Sequence, residues 1–203
     1  MKEESRKANY GLGEMFSNFV SLVYTKMFWG KARLIRIPVR IRGKKAIDFG
    51  EGFTTGYSCR IEINGSTNKK KLLIGNNCII GDYAHIVAND SVIIGNNVLL
   101  ASRVFITDSN HGVYNGSNQS RPEEEPNRRP IHYDEVVIGD NVWLGENVSI
   151  MPGVHIGKGC IVGANSVVTK DIPENCIVAG IPAKIIKRYD HGKQLWIKSG
   201  TEN

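Results

Sequence analysis

Apolar residues recur along this chain with a period of six. An aliphatic residue, usually followed by Gly, opens each unit: Ile74-Gly75, Ile80-Gly81 and Ile86; then Ile94-Gly95, Leu100 and Ile106; then Ile138-Gly139, Leu144-Gly145, Ile150, Ile156-Gly157, Val162-Gly163 and Val168. Four residues after the aliphatic comes a smaller apolar residue, as at Cys78, Ala84, Val98, Val104, Val142, Val148, Val154 and Cys160. A weaker copy runs through Phe49-Gly50, Thr55-Gly56 and Ile61, with Phe53 and Cys59 in the small slot. A helix repeats every 3.6 residues or so and a half-buried strand about every two, so neither carries this pattern. A coil of short parallel strands does. Each unit gives one strand and one turn, and successive units close a triangular coil. The expected fold class is therefore all-β, a parallel β-helix of hexapeptide repeats. In it the aliphatic points inward, the smaller residue fills a tighter internal position, and Gly or Asn after the aliphatic supplies unusual backbone angles at the corners, which the pairs Asn76-Asn77, Asn96-Asn97 and Asp140-Asn141 suit. The period leaves the hand of the coil open.

Two breaks interrupt the beat. Asn64 to Lys71 is a polar insertion, expected to loop out at a corner. The larger break begins after His111 and ends at Ile138, giving a long protruding loop over about 112–137 with Pro122, Pro126, Pro130, Glu123 to Glu125 and Arg128-Arg129. Long loops on rigid scaffolds often carry function, and this one has a histidine at its root. Residues 9–30 read as a helix whose apolar side is Met15, Phe16, Phe19, Val20, Leu22, Val23, Met27 and Phe28. Such a helix either caps the open end of the coil or lies on a membrane surface as a peripheral association. Capping is the preferred expectation, because solenoids need terminal caps. Ala183 to Lys198 should close the other end as a short strand or helix. The chain thus divides into an N-terminal helix and extended lead-in (1–46), a β-helix domain (47–182) and a C-terminal cap and tail (183–203).

Composition narrows the classes. The chain has 203 residues, 41% hydrophobic and 23% charged, which is ordinary for a folded soluble protein. Met15 to Trp29 is broken by Ser17, Asn18, Ser21, Thr25 and Lys26 and lacks a signal cleavage site, so a cytoplasmic location is expected. The net charge of +6 comes without a basic helix interleaved with aromatics, and nucleic acid is not an expected partner. Cys59, Cys78 and Cys160 share the small slot, and no CxxC occurs, so buried reduced thiols are expected and no metal site.

The C-terminal part of the repeat carries specific motifs: Ile138-Gly139-Asp140-Asn141-Val142-Trp143-Leu144-Gly145, Pro152-Gly153-Val154, Gly163-Ala164-Asn165-Ser166-Val167-Val168-Thr169-Lys170-Asp171-Ile172-Pro173 and Ala179-Gly180-Ile181-Pro182-Ala183-Lys184. From about Ile47 to Lys187 the chain resembles the hexapeptide-repeat acyltransferases. Through Thr107-Asp108-Ser109-Asn110-His111-Gly112 it is most similar to the lipopolysaccharide (O-antigen) O-acetyltransferases, with galactoside and maltose acetyltransferases more distant. The resemblance implies a left-handed coil, a homotrimer with sites between adjacent subunits, acetyl-CoA as co-substrate and a sugar or polysaccharide acceptor. It puts His111 at the catalytic histidine. It puts Ala164, Thr169 and Lys170 at CoA-contacting positions, Glu146 on the CoA side, and Lys184 and Lys187 where galactoside-type relatives have Arg. A Lys keeps the charge there but loses the planar fork that grips phosphate. Asn89 matches an acceptor-side polar position. Gly81 stands where a galactoside-type relative uses an acceptor-binding Asn, and the helical module of maltose-type enzymes is absent.

Acetyl transfer from a thioester to a hydroxyl needs a base, and neutral imidazole suits it near pH 7. His111 is the expected base, on the coil surface beneath the long loop, oriented by Asn110 or Asp108. A lone histidine is otherwise more often structural or merely exposed. His85 and Asn110 are candidates for acceptor contact. Trp143 should point outward, to wall a pantetheine channel or meet a trimer neighbour. Lys184, Lys187 and Arg188 suit CoA phosphates. The expected function is acetyl-CoA-dependent O-acetylation of a sugar hydroxyl, in a surface polysaccharide or its precursor. Alternatives are an N-acetyltransferase acting on an amino sugar, a three-histidine zinc enzyme on the same coil, for which no third ligand accompanies His85 and His111, and a non-catalytic trimeric binding module.

Overall fold

A computed structural model describes residues 10–64 and 69–199. Three parallel sheets form the faces of a triangular, left-handed parallel β-helix. The first face stacks Leu34–Ile35, Thr54–Thr55, Ile79–Ile80, Leu99–Leu100, Trp143–Leu144, Ile161–Val162 and Cys176–Gly180. The second stacks Arg40–Arg42, Arg60–Glu62, His85–Val87, Phe105–Thr107, Ser149–Ile150 and Val167–Val168. The third stacks Ile47–Phe49, Leu72–Ile74, Val92–Ile94, Val136–Ile138 and His155–Ile156, and is extended by a bridge from Ile156 to Ile172. Strands 34–35 and 40–42 pair in register with the next turn, so the first turn is built from residues that precede the audible repeat.

The register places the aliphatics as the period requires. Ile80, Ile86, Leu100, Ile106, Leu144 and Ile150 are all buried in one continuous core. The small slot is equally regular. Cys59, Cys78 and Cys160 each donate a weak S–H hydrogen bond to a carbonyl of the neighbouring turn, at Gly81 (3.1 Å), Gly95 (3.0 Å) and Pro173 (3.0 Å). All four cysteines are free and buried, and burial pushes the Cys59 thiol up to about 11, far from the reactive thiolate.

The corners fall at the Asn76-Asn77, Asn96-Asn97 and Asp140-Asn141 pairs, as expected, but Gly and Asn divide the labour there. The left-handed backbone is taken by the residue just before the small slot, as at Asn77, Asn97, Asn141, Asn147 and Asn165. Asparagine tolerates that region, and its amides add a ladder along the axis: Asn97 Nδ2 donates to Asn141 Oδ1 at 3.2 Å, and Asn147 Nδ2 to Asn165 Oδ1 at 2.9 Å. The Gly after the aliphatic serves close approach instead. A Cβ on Gly145 would lie 2.6 Å from the Ala164 nitrogen of the next turn.

The N-terminal helix spans Leu12–Phe28 and lies against strand 34–35 at the edge of the first face. It turns the opposite side inward from the one its apolar pattern predicts. Ser21 and Thr25 are its buried residues, while Leu12, Met15, Phe16, Phe19, Met27 and Phe28 are exposed. The reason is the unpaired strand edge. The Ile35 N–H donates to Thr25 Oγ1 at 2.8 Å and the Ile37 N–H to Ser21 Oγ at 3.2 Å, bonds an apolar side could not make. The open end of the core is plugged by Trp29, packed on Phe49, which packs on Phe53. At the other end, Ala183–Asp190 and Leu195–Lys198 continue the first face as antiparallel strands beyond Cys176–Gly180.

Of the first break, residues 65–68 lie outside the described residues. The second is a β-arm rather than a plain loop. The chain leaves the coil at Asp108, and Ser109–His111 pairs antiparallel with Ile131–Tyr133 before the coil resumes at Val136.

Candidate active site

The arm springs from the corner where the second face turns into the third. Its mooring is Asp108, which is fully buried and whose carboxylate accepts the backbone N–H groups of Asn89 (2.9 Å), Asp90 (2.6 Å) and Ser91 (2.8 Å) from the turn below. A carboxylate satisfied by three backbone donors is a strong local clamp. Asn89 adds a second tie, donating to Ser109 Oγ at 2.9 Å. So Asp108 fixes where the arm starts and does not touch the His111 ring.

His111 stands on the first strand of the arm, exposed, opposite Ile131. This corrects the expected position on the coil surface. Pleat alternation puts Ser109 and His111 on one face of the arm and Asn110 with His132 on the other, so Asn110 cannot orient the imidazole. Among the described residues the His111 ring has no hydrogen-bond partner. The backbone is what is held. Tyr114 Oη donates to the His111 carbonyl at 2.6 Å and accepts from Arg129 at 2.9 Å, and Arg129 also donates to the carbonyls of Pro122 and Glu124. The sequence assigns no role to Tyr114 or to Arg129, because the period is silent inside the arm. His132 pairs with Asp134 at 3.0 Å.

His85 lies on the second face, below the arm. Its Nε2 is 3.2 Å from Glu62 Oε2, and its ring packs on Phe105. Glu62 is buried and also held by Arg60 at 2.6 Å and Arg42 at 3.0 Å, a cluster the sequence pattern gave no sign of. The hydrogen bond from Arg60 holds the Glu62 carboxyl below its ordinary 4.5, burial opposes it, and the bond from His85 assists. A depressed folded value means stability that is full above pH 4.5 or so and is lost as pH falls through the folded value. Glu62→Gln is therefore expected to flatten the acid limb of the stability curve, read as melting temperature against pH below about 4.5.

The remaining predicted residues lie elsewhere. Trp143 points outward from the first face, half exposed at 48%, in register with Leu99 below and Ile161 above. Glu146 and Ala164 stand exposed at the corner between the first and second faces, Glu146 paired with Arg103 at 2.7 Å. Thr169 and Lys170 are exposed at the same corner as the arm, on a later turn. Lys184 and Lys187 lie on the antiparallel strand 183–190, opposite Ala179 and Ile177. The structure thus brings His111, Asn89, Asn110, Thr169 and Lys170 to one corner, with His85 on the adjoining second face. It keeps Trp143, on the opposite face, away from them.

A coil of three parallel faces with an arm at one corner defines a known class. The family model described as "Bacterial transferase hexapeptide (six repeats)" matches residues 135–170, and that described as "Hexapeptide repeat of succinyl-transferase" matches 71–108. The Escherichia coli K12 protein WbbJ, assigned by its name to lipopolysaccharide biosynthesis O-acetyl transfer, is 44% identical over 191 residues, 94% of this chain and 96% of its own. A galactoside O-acetyltransferase of the same strain is 39% identical over 62% of this chain and 58% of its own. Among solved structures, AntD, an N-acyltransferase from Bacillus cereus in complex with dTDP and 3-hydroxybutyryl-CoA, superposes with a TM-score of 0.61 at 20% identity, over 80% of this chain and 84% of its own. This chain belongs to the hexapeptide-repeat acyltransferases, as one of their acetyltransferases.

Proposed function

We propose that this protein transfers an acetyl group from acetyl-CoA to a hydroxyl of a sugar, in a surface polysaccharide or its precursor, with the His111 imidazole as general base. The observation that carries this reading is the split in the site. His111 springs from the corner opposite the first face, on which Trp143 stands, and Glu146 and Ala164 flank that face. One prism cannot fold both sets around one acetyl group. A second copy alongside, its first face turned to the arm of its neighbour, can. The outward column Ile79, Leu99, Trp143, Ile161 on that face is apolar enough to be such a contact. A homotrimer closed by threefold symmetry would give each arm one such face.

In that setting the neutral ring takes the hydroxyl proton as the sugar oxygen attacks the thioester carbonyl. Backbone N–H groups are the natural donors to the tetrahedral oxyanion. Collapse expels the CoA thiolate, which recovers the proton from the imidazolium. Lys170, Lys184 and Lys187 supply positive charge for CoA phosphates. His85, Asn89 and Asn110 stand on the acceptor side, which the name of WbbJ relates to lipopolysaccharide. A cytoplasmic location follows from the use of acetyl-CoA.

Complementation tests the reading. His111→Ala and Ala164→Trp are each expected to abolish most transfer when expressed alone. Co-expressed, they should regain activity, because about one interface in four then joins an intact arm to an intact face. No recovery would sink the shared site. The product separates the acceptors: an ester is cleaved by mild alkali, whereas an alkali-stable acetyl group would mean an amide on an amino sugar.

A further inference from the structure

Among the described residues, no other element covers the apolar side of the N-terminal helix. Leu12 is 87% exposed, Phe16 70%, Phe19 62% and Met27 70%. Its polar side is already spent on the strand edge, through Thr25 and Ser21, so the helix cannot roll over to bury these residues without leaving the Ile35 and Ile37 N–H groups unpaired. The exposed side is therefore a settled feature of the fold, and a contiguous apolar patch of this kind marks a contact surface.

Charge says what the contact is. Residues 1–46 hold eleven Lys and Arg against three Glu, a net of +8, while residues 47–203 hold fifteen against seventeen acids, a net of −2. Among the described residues, 10–46 hold eight Lys and Arg against Glu14, a net of +7 at the end of the coil where the helix lies. Lys26, Lys31 and Arg33 are exposed there, and among the described residues no ion pair joins them to a carboxylate. Two copies meeting through this end would set +7 against +7, which disfavours a self-contact. An apolar stripe of Phe, Leu and Met rimmed by exposed cations without carboxylate partners among the described residues matches a bilayer of anionic phospholipid, with the side chains among the acyl chains and the cations among the headgroups. The helix has 17 residues, and no helix among the described residues is long and apolar enough to cross a membrane, so it would lie in the interface plane.

We propose that this end of the protein docks on an anionic membrane surface through the Leu12–Phe28 helix. The inference stands on helix exposure and charge alone, and does not depend on the catalytic reading.

The test is co-flotation of the full-length protein with vesicles of phosphatidylcholine and phosphatidylglycerol, against vesicles of phosphatidylcholine only. The wild type should float with the anionic vesicles and be released as salt is raised. Phe16→Ser/Phe19→Ser should weaken binding by about tenfold or more, since both rings would enter the bilayer. Lys26→Glu/Lys31→Glu should weaken it most at low salt. These side chains are solvent-exposed, so the variants should fold, and gel filtration with a thermal melt checks that. Failure of the wild type to bind anionic vesicles overturns the proposal. So does undiminished binding by the Phe double variant. A loss of oligomer size in that variant would likewise overturn it, by showing that a second copy covers the helix.

Discussion

Replacement of His111 by Ala is expected to lower the rate of acetyl transfer by about 10²–10⁴-fold, the usual contribution of a positioned general base. Stability should barely change, by about 0.5 kcal/mol or less, because the ring is exposed and has no hydrogen-bond partner among the described residues. This combination is diagnostic. The backbone of His111 is fixed through its carbonyl by Tyr114, and Tyr114 in turn by Arg129, so removing the imidazole leaves the arm in place. Steady-state turnover of acetyl-CoA with an accepting glycan, alongside a thermal melt, reads both quantities. Added free imidazole should restore part of the activity to the variant. A variant that kept full turnover would leave the arm without the chemical role assigned to it.

Asp108→Ala is expected to act through structure instead. Its carboxylate is fully buried and accepts three backbone N–H groups. Leaving such donors unpaired costs about 1–3 kcal/mol each before water re-enters, so a net loss of about 3 kcal/mol is expected. For a chain of this size that corresponds to a fall in melting temperature of roughly 6–12 °C. Activity should fall as well, because the turn at 89–91 and the start of the arm are registered through this one side chain. Asp108→Asn keeps an acceptor oxygen and should fall between the two. Unchanged melting in Asp108→Ala would mean that the arm is moored by other contacts. Comparison with His111→Ala separates a group that reacts from one that positions: the first loses rate at constant stability, the second loses both.

The coil was legible because its signal is redundant. Every turn repeats the same demand for an aliphatic, a small apolar residue and a tight corner, so Ile74 to Val168 announces itself many times over. What the period did not carry was whatever happens once. The first turn lacks the Gly beat and was read as a lead-in, although Ile35 and Ile41 pair in register with Thr55 and Ile61. The asparagine corners were legible, but the Gly after the aliphatic was expected to supply an unusual backbone angle where it serves a close approach, because the two demands leave similar marks in a sequence. The helix was found, but its orientation was not. Amphipathic reasoning assumes that the apolar side seeks the core, and here the need of Ile35 and Ile37 for acceptors outweighed it. At the candidate site, the motif around His111 singled out that residue and the family resemblance singled out Asn89. The Glu62 cluster and the Tyr114–Arg129 brace were not, because they depend on side chains meeting across turns and across the arm, contacts that no local spacing encodes.

Stacked turns also make this prism a ruler. The imidazole hangs from one turn, whereas Lys184 and Lys187 belong to the hairpin that closes the far end. Each complete turn inserted between them would lift that hairpin by one strand spacing, about 4.8 Å, without rotating it. An insertion of a partial turn would instead swing it to a different face. On the proposed reading of His111 and of these lysines, the reach from thioester to phosphate would then lengthen or shorten in whole steps, with the geometry around the reacting carbonyl unchanged.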